Sequence, residues 1–244
     1  EQAIAREALR LSFIQHKNFA TSLKGVQSDR TISDAFEQSS SGMSLVNMME
    51  LDLLVGSGGV LSHAPRRQQS ARMLIDSFMP EGITQLAVDS IFMMPQLGVL
   101  ANIDKEEFKE DAKDASLEVF EKDCLIRLGT CIAPVGDVDK STSMGYAELR
   151  FSDGEKQTID LLEGALLVIE YPYKEVTVEI FPLKSIDIGA GKGEKIATTV
   201  YGGEVGIIFD CRNRPISVSD DSQTRVQELK RWSDALNEYP KEVE

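Results

Sequence analysis

Apolar and polar positions recur at helical spacing over the first half of the chain and at alternate positions over most of the second. Residues 1 to about 25 predict an amphipathic helix, with Ile4, Ala5, Ala8, Leu9, Leu11 and Phe13 on its apolar face and Gly25 as a natural stop. Residues 29–36 predict a short helical turn, Ser39–Gly42 a connector, and 45–49 another short helix. The apolar run 51–55 predicts a strand ending in Gly56-Ser57-Gly58-Gly59. After Pro65, the spacing of Ala71, Leu74, Ile75 and Phe78 predicts a helix that Pro80 and Gly82 terminate. Residues 83–88 read as a strand, and a second apolar segment runs to Leu100. Asp89 is placed to cap that segment's first turn, and Met93-Met94-Pro95 marks a kink or boundary. Residues 105–122 predict a charged helix with Phe108, Ala112, Ala115 and Val119 inside.

Beyond Asp123 the period shortens. Candidate strands are 124–132, 146–151, 157–160, 166–171, 175–182, 195–200 and 205–210, separated by Gly, Pro and Asp turns. This spacing predicts an antiparallel β-sandwich or small β-barrel. Residues 222–239 close with a helix whose stripe is Val226, Leu229, Trp232, Leu236 and Tyr239. The expected fold is therefore α+β: an α/β lobe at 1–101, a linking helix at 102–122, a β-domain at 123–220, and a C-terminal helix and tail at 221–244.

The strand–glycine–helix corner at 51–69 carries the clearest chemistry. Glycines let the backbone take positive φ and let a ligand approach without meeting a Cβ. A following helix start favours a phosphate or the sugar edge of a nucleotide. Gly56, Ser57, Gly58 and Gly59 would approach that ligand, with Ser62, His63 and Arg66 or Arg67 at the helix start. A tight structural turn gives the same pattern, and a surface ion pair explains the arginines equally well. Ser57 does not sit in a nucleophile elbow, since the order is Val55-Gly56-Ser57-Gly58-Gly59. The glycine-rich run 187–195 fails the phosphate-loop pattern and reads as a turn. Arg212 and Arg214 could meet an anion or a partner carboxylate, although turn chemistry explains Asp210, Asn213 and Pro215. The same arginines would lower the pKa of Cys211.

This order of elements resembles the second nucleotide-binding lobe of the actin, hexokinase and heat-shock-chaperone ATPase superfamily. More specifically, Leu-Val-Gly-Ser-Gly-Gly-Val-Leu-Ser-His-Ala-Pro-Arg-Arg at 54–67, Ala-Val-Asp-Ser-Ile-Phe-Met-Met-Pro-Gln-Leu-Gly-Val-Leu at 87–100, and Cys-Leu-Ile-Arg-Leu-Gly-Thr-Cys at 124–131 are similar to the glutamate mutase L family (MutL or GlmL). The resemblance implies an actin-like, ATP-binding accessory or chaperone-like protein for an adenosylcobalamin-dependent mutase. It places the adenosine side of the nucleotide site at the glycine corner and gives ATP, with Mg²⁺, as the cofactor. A small-molecule kinase of the same superfamily and a non-catalytic interaction module are the alternatives.

Charge narrows the partners. The formal net charge is −14, with ten acidic against eight basic residues up to 101 and thirty against eighteen beyond. That acidity disfavours nucleic acid and anionic membrane surfaces. The chain begins without Met, inside a predicted helix, and is expected to be a fragment that lacks catalytic competence by itself. Its three cysteines are an odd number, and only two histidines are present. Reduced thiols, a cytoplasmic location and no zinc site are expected.

Overall fold

A computed structural model of the chain describes residues 1–19, 46–101 and 117–239. The expected turn at 29–36, the connector at Ser39–Gly42 and most of the 105–122 helix lie outside these residues. The helix α1 (Gln2–Phe19) is followed by β1 (Leu53–Gly56), a one-turn helix α2 (Gly59–Ser62), α3 (Arg67–Phe78), β2 (Gly82–Asp89) and α4 (Met94–Ala101). Then come β3 (Leu125–Ala133), β4 (Val135–Gly136), β5 (Ser143–Phe151), β6 (Lys156–Leu162), β7 (Leu166–Ile169), β8 (Glu175–Pro182), β9 (Ile186–Asp187), β10 (Ile196–Tyr201), β11 (Gly206–Asp210) and α5 (Ser222–Leu236).

A five-stranded mixed sheet, ordered β1-β2-β3-β11-β7, forms the middle layer. β1 runs parallel to β2, and β3 runs parallel to β11. Its strands obey the period-two rule. Along β3, Cys131 and Ala133 face one core and Ile132 the other, while a β-bulge opposite Leu86 and Ala87 shifts the phase and puts Leu128 on the same face as Cys131. The first core is closed by α3 and α5 through Ala71, Leu74, Ile75, Trp232 and Leu236. The second is closed by a four-stranded antiparallel sheet, β10-β8-β5-β6, through Met144, Leu149, Val178 and Ile180. The molecule is thus mixed α/β in three layers, and neither described sheet closes into a barrel.

Two sequence expectations change here. All seven candidate strands after Asp123 form, but β3, β7 and β11 join β1 and β2 instead of a separate antiparallel domain. β2 pairs with β3 over their whole length, from Gly82 opposite Ala133 to Asp89 opposite Leu125. The sheet therefore crosses the division between 1–101 and 123–220. β11 is buried at every position, as a strand covered on both faces must be. Gly129 explains the tight β3–β11 pairing: it sits at φ +135°, and a Cβ there would lie 1.8 Å from the Gly206 carbonyl oxygen.

The terminal helices are less buried than their stripes suggest. In α1, Ala5 and Leu9 meet the helical core, and Phe13 packs edge-on against Phe78 at 5.1 Å, but Ile4 and Leu11 are exposed. In α5, Trp232 and Leu236 are buried while Val226 and Leu229 are exposed, and Tyr239 lies beyond the helix end. The remaining punctuation follows the sequence. Asp89 accepts from the Met93 and Met94 amides at the start of α4, and Met79 ends α3 in a left-handed conformation just before Pro80. Among the described residues no helix is long and apolar enough to cross a membrane.

Candidate functional site

β1 and β2 are adjacent and parallel, so their carboxyl ends lie side by side. In open α/β sheets that edge is where ligands bind. The glycine corner leaves β1 there, and the turn at 90–93 leaves β2. Gly56 is buried, and its missing side chain makes room for Leu61 and Leu74: a Cβ would come within 3.0 Å of both. Gly58 takes φ +113°, and a Cβ on either Gly58 or Gly59 would meet nothing within 4 Å. The backbone at 58–59 is therefore open on its outer side, beside exposed Ser57.

The expected helix start is split. Only the four residues of α2 follow the glycines directly, because Pro65 interrupts the chain before α3 begins at Arg67. One turn carries too little aligned dipole to hold an anion unaided. Ser62 turns inward, its hydroxyl donating to the Asp89 carbonyl across the two strand ends. His63 caps α2 and stacks its exposed ring on Phe92, with centroids 5.8 Å apart and planes 27° apart. Arg67 donates to the Ser62 carbonyl at 2.8 Å. Arg66 is half-buried, and its enclosed Nε has no hydrogen-bond partner among the described residues. Sequence reading missed Phe92; its signal is its place just after the second of two parallel strands.

Arg212 and Arg214 face inward, not toward a ligand. Arg212 forks onto Asp210 at 2.7 and 3.0 Å and reaches Asp76 of α3 at 2.8 Å, while Arg214 meets Asp210 at 3.0 Å. Asp76 also pairs with Arg6 of α1 and Arg72 of α3. The Arg72 and Arg212 guanidinium groups each lie over the Trp232 ring, 5.7 and 5.1 Å from its centroid. Burial pushes the Asp210 and Asp76 carboxyls up, but the arginines outweigh it and hold both below the usual carboxylate range. Cys211 reverses its sequence expectation. Burial and the neighbouring Asp210 charge raise its pKa, against the weaker pull of Arg214. Burial likewise pushes Cys131 up to about 12. The run 187–195 is a turn, with Asp187 accepting from the Gly189 and Gly191 amides. Among the described residues no three His, Cys, Asp or Glu side chains group as metal ligands.

A three-layer mixed α/β protein with an open glycine corner at the ends of two parallel strands is the class these features define. Residues 1–115 match the model of the family described as MutL protein, which bears out the glutamate mutase L resemblance for that part of the chain. Comparison with curated proteins gave no match, and comparison with solved structures gave none.

Proposed function

We infer that the chain holds the adenosine side of a nucleotide site in an ATP-dependent accessory protein of an adenosylcobalamin-dependent mutase, with glutamate mutase as the partner the family points to. The observation that carries the nucleotide reading is the unobstructed backbone at Gly58–Gly59, set at the carboxyl ends of β1 and β2. The corner suits the group: the sugar can approach where a side chain would otherwise stand. Arg66, the residue before α3, is the cation that would meet a phosphate or the face of the base. The MutL match over residues 1–115, which contains the corner, supports the mutase association.

The same reading makes this chain part of the second lobe of an actin-like ATPase. Bound ATP supplies a bridge between lobes, so its presence would shift the balance of open and closed forms and bias contact with the mutase. The chain's own part is to seat the nucleoside at 56–59 and hold α2 against β2 through the Ser62–Asp89 bond. Calorimetry with ATP, paired with retention of glutamate mutase subunits on the immobilised chain with and without ATP, tests both halves. Micromolar-to-millimolar ATP binding and ATP-dependent retention are expected. No ATP heat and nucleotide-independent retention would overturn the reading.

A further inference from the structure

We propose that His63 and Phe92 form a base-stacking platform that makes the site prefer a nucleotide with a flat heteroaromatic base over the same sugar and phosphates without one. The inference rests on the nucleotide reading of the glycine corner and adds to it the element that recognises the base. Both rings sit at the same sheet edge. The His63 amide donates to the Gly59 carbonyl at 3.0 Å, one helical turn from the open backbone, and Phe92 lies three residues past the end of β2. Both residues are exposed, and their rings lie at a shallow 27° with centroids 5.8 Å apart, so the pair presents aromatic surface to solvent.

The turn that presents Phe92 is held from three sides. Ser62 donates to the Asp89 carbonyl, and the Asp89 carboxylate accepts from the Met93 and Met94 amides. The Ser90 amide and hydroxyl both donate to the Cys124 carbonyl, at 2.8 and 2.9 Å. Within this frame Phe92 takes φ +60°, a region bulky residues seldom occupy. An apolar ring is thus fixed outward, in a disfavoured backbone conformation, against a second exposed ring. Base–aromatic stacking uses such surfaces, and it is tolerant of base identity because every base has a π-face.

The test is calorimetry of the 244-residue chain with ATP and with ribose 5-triphosphate, which lacks the base. Phe92→Asn removes the ring yet suits the left-handed backbone; Phe92→Trp keeps a ring; His63→Leu removes the partner ring. In chains with unchanged circular dichroism, Phe92→Asn and His63→Leu should each weaken ATP at least about fivefold, the lower end of stacking strength. Ribose 5-triphosphate should bind the wild type more weakly than ATP and be unaffected by either change. Phe92→Trp should bind ATP as the wild type does, with fluorescence of the new exposed indole quenched on binding. Equal ATP affinity in wild type, Phe92→Asn and His63→Leu overturns the platform and leaves the corner reading standing. Absence of ATP binding to the wild type overturns both.

Discussion

At Gly56 and Gly58 the absence of a side chain answers different demands, and substitutions separate them. Gly56→Ala forces a methyl against the buried Leu61 and Leu74 and should lower stability by about 1–3 kcal/mol in urea unfolding. Gly58→Val meets open space but a φ of +113°, so it adds backbone strain of about 1–3 kcal/mol. It should also weaken ATP at least about tenfold, or 1.4 kcal/mol. Gly59→Ala has neither steric conflict nor positive φ. It should leave stability within about 0.5 kcal/mol of wild type, so a loss of ATP affinity in this variant reports the ligand's need for bare backbone. Unchanged ATP affinity in both the Gly58 and Gly59 variants removes the corner as a site. Cys211 shows what adjacency in sequence cannot reveal. Two arginines within three residues suggested a lowered thiol pKa, yet those arginines are occupied by Asp210 and Asp76, and burial raises the thiol pKa. Cys124, Cys131 and Cys211 are all buried and free, so none should react with a thiol reagent at pH 8 until the chain is denatured.

At the scale of elements, the carboxylates that join α3 to the end of β11 give the fold an acid sensitivity. Asp76 and Asp210 both have native pKa values depressed below the unfolded value of about 3.9. Their contribution is therefore present above about pH 5 and is lost as the pH falls through 4 and below. Asp210→Asn should be less stable at pH 7, and its stability should change less between pH 5 and pH 3, as measured by urea titration at each pH. Arg212→Ala leaves Asp210 with Arg214 and Asp76 with Arg6 and Arg72, but it removes the buried charge-assisted bonds to both carboxylates and should cost about 1.5–3 kcal/mol. Trp232 is the chain's one tryptophan and donates to the Gly164 carbonyl at 2.9 Å, so its fluorescence reports α5 docking in these experiments. Much of this level was legible beforehand. The Glu175–Pro182 strand has its predicted bounds, and the Asp89 carboxylate accepts from amides at the start of α4, although that helix begins five residues on, at Met94, and not at the residue after Asp89. Periodicity identified the strands but not their partners, because alternation states which residues share a face and says nothing of which strand lies alongside. The same limit hid Phe92, whose role depends on β1 and β2 being parallel neighbours.

For the whole molecule, the shared sheet makes a strong statement about cooperativity. The residues that match the MutL model end at 115, but β2 within them has β3 as its neighbour over eight residues. The helical core draws Leu74, Ile75, Leu86 and Val88 from one part, and Leu128, Cys131, Ile208 and Trp232 from the other. The Arg212–Asp76 ion pair, with side chains 1% and 17% exposed, crosses the same division. Without residues 117–244, β2 would expose an apolar edge and α3 would lose much of its cover, a combination that favours aggregation. Residues 1–101 and 117–244 expressed as separate chains in one cell should therefore co-purify as a 1:1 complex. Its urea unfolding should show coincident transitions by far-ultraviolet circular dichroism and Trp232 fluorescence, as one cooperative unit requires. Expressed alone, residues 1–101 should be insoluble or lack a cooperative transition. A soluble, cooperatively folding 1–101 that does not associate with 117–244 would restore the division into independent domains, and the β2–β3 ladder would then contribute little to holding the protein together.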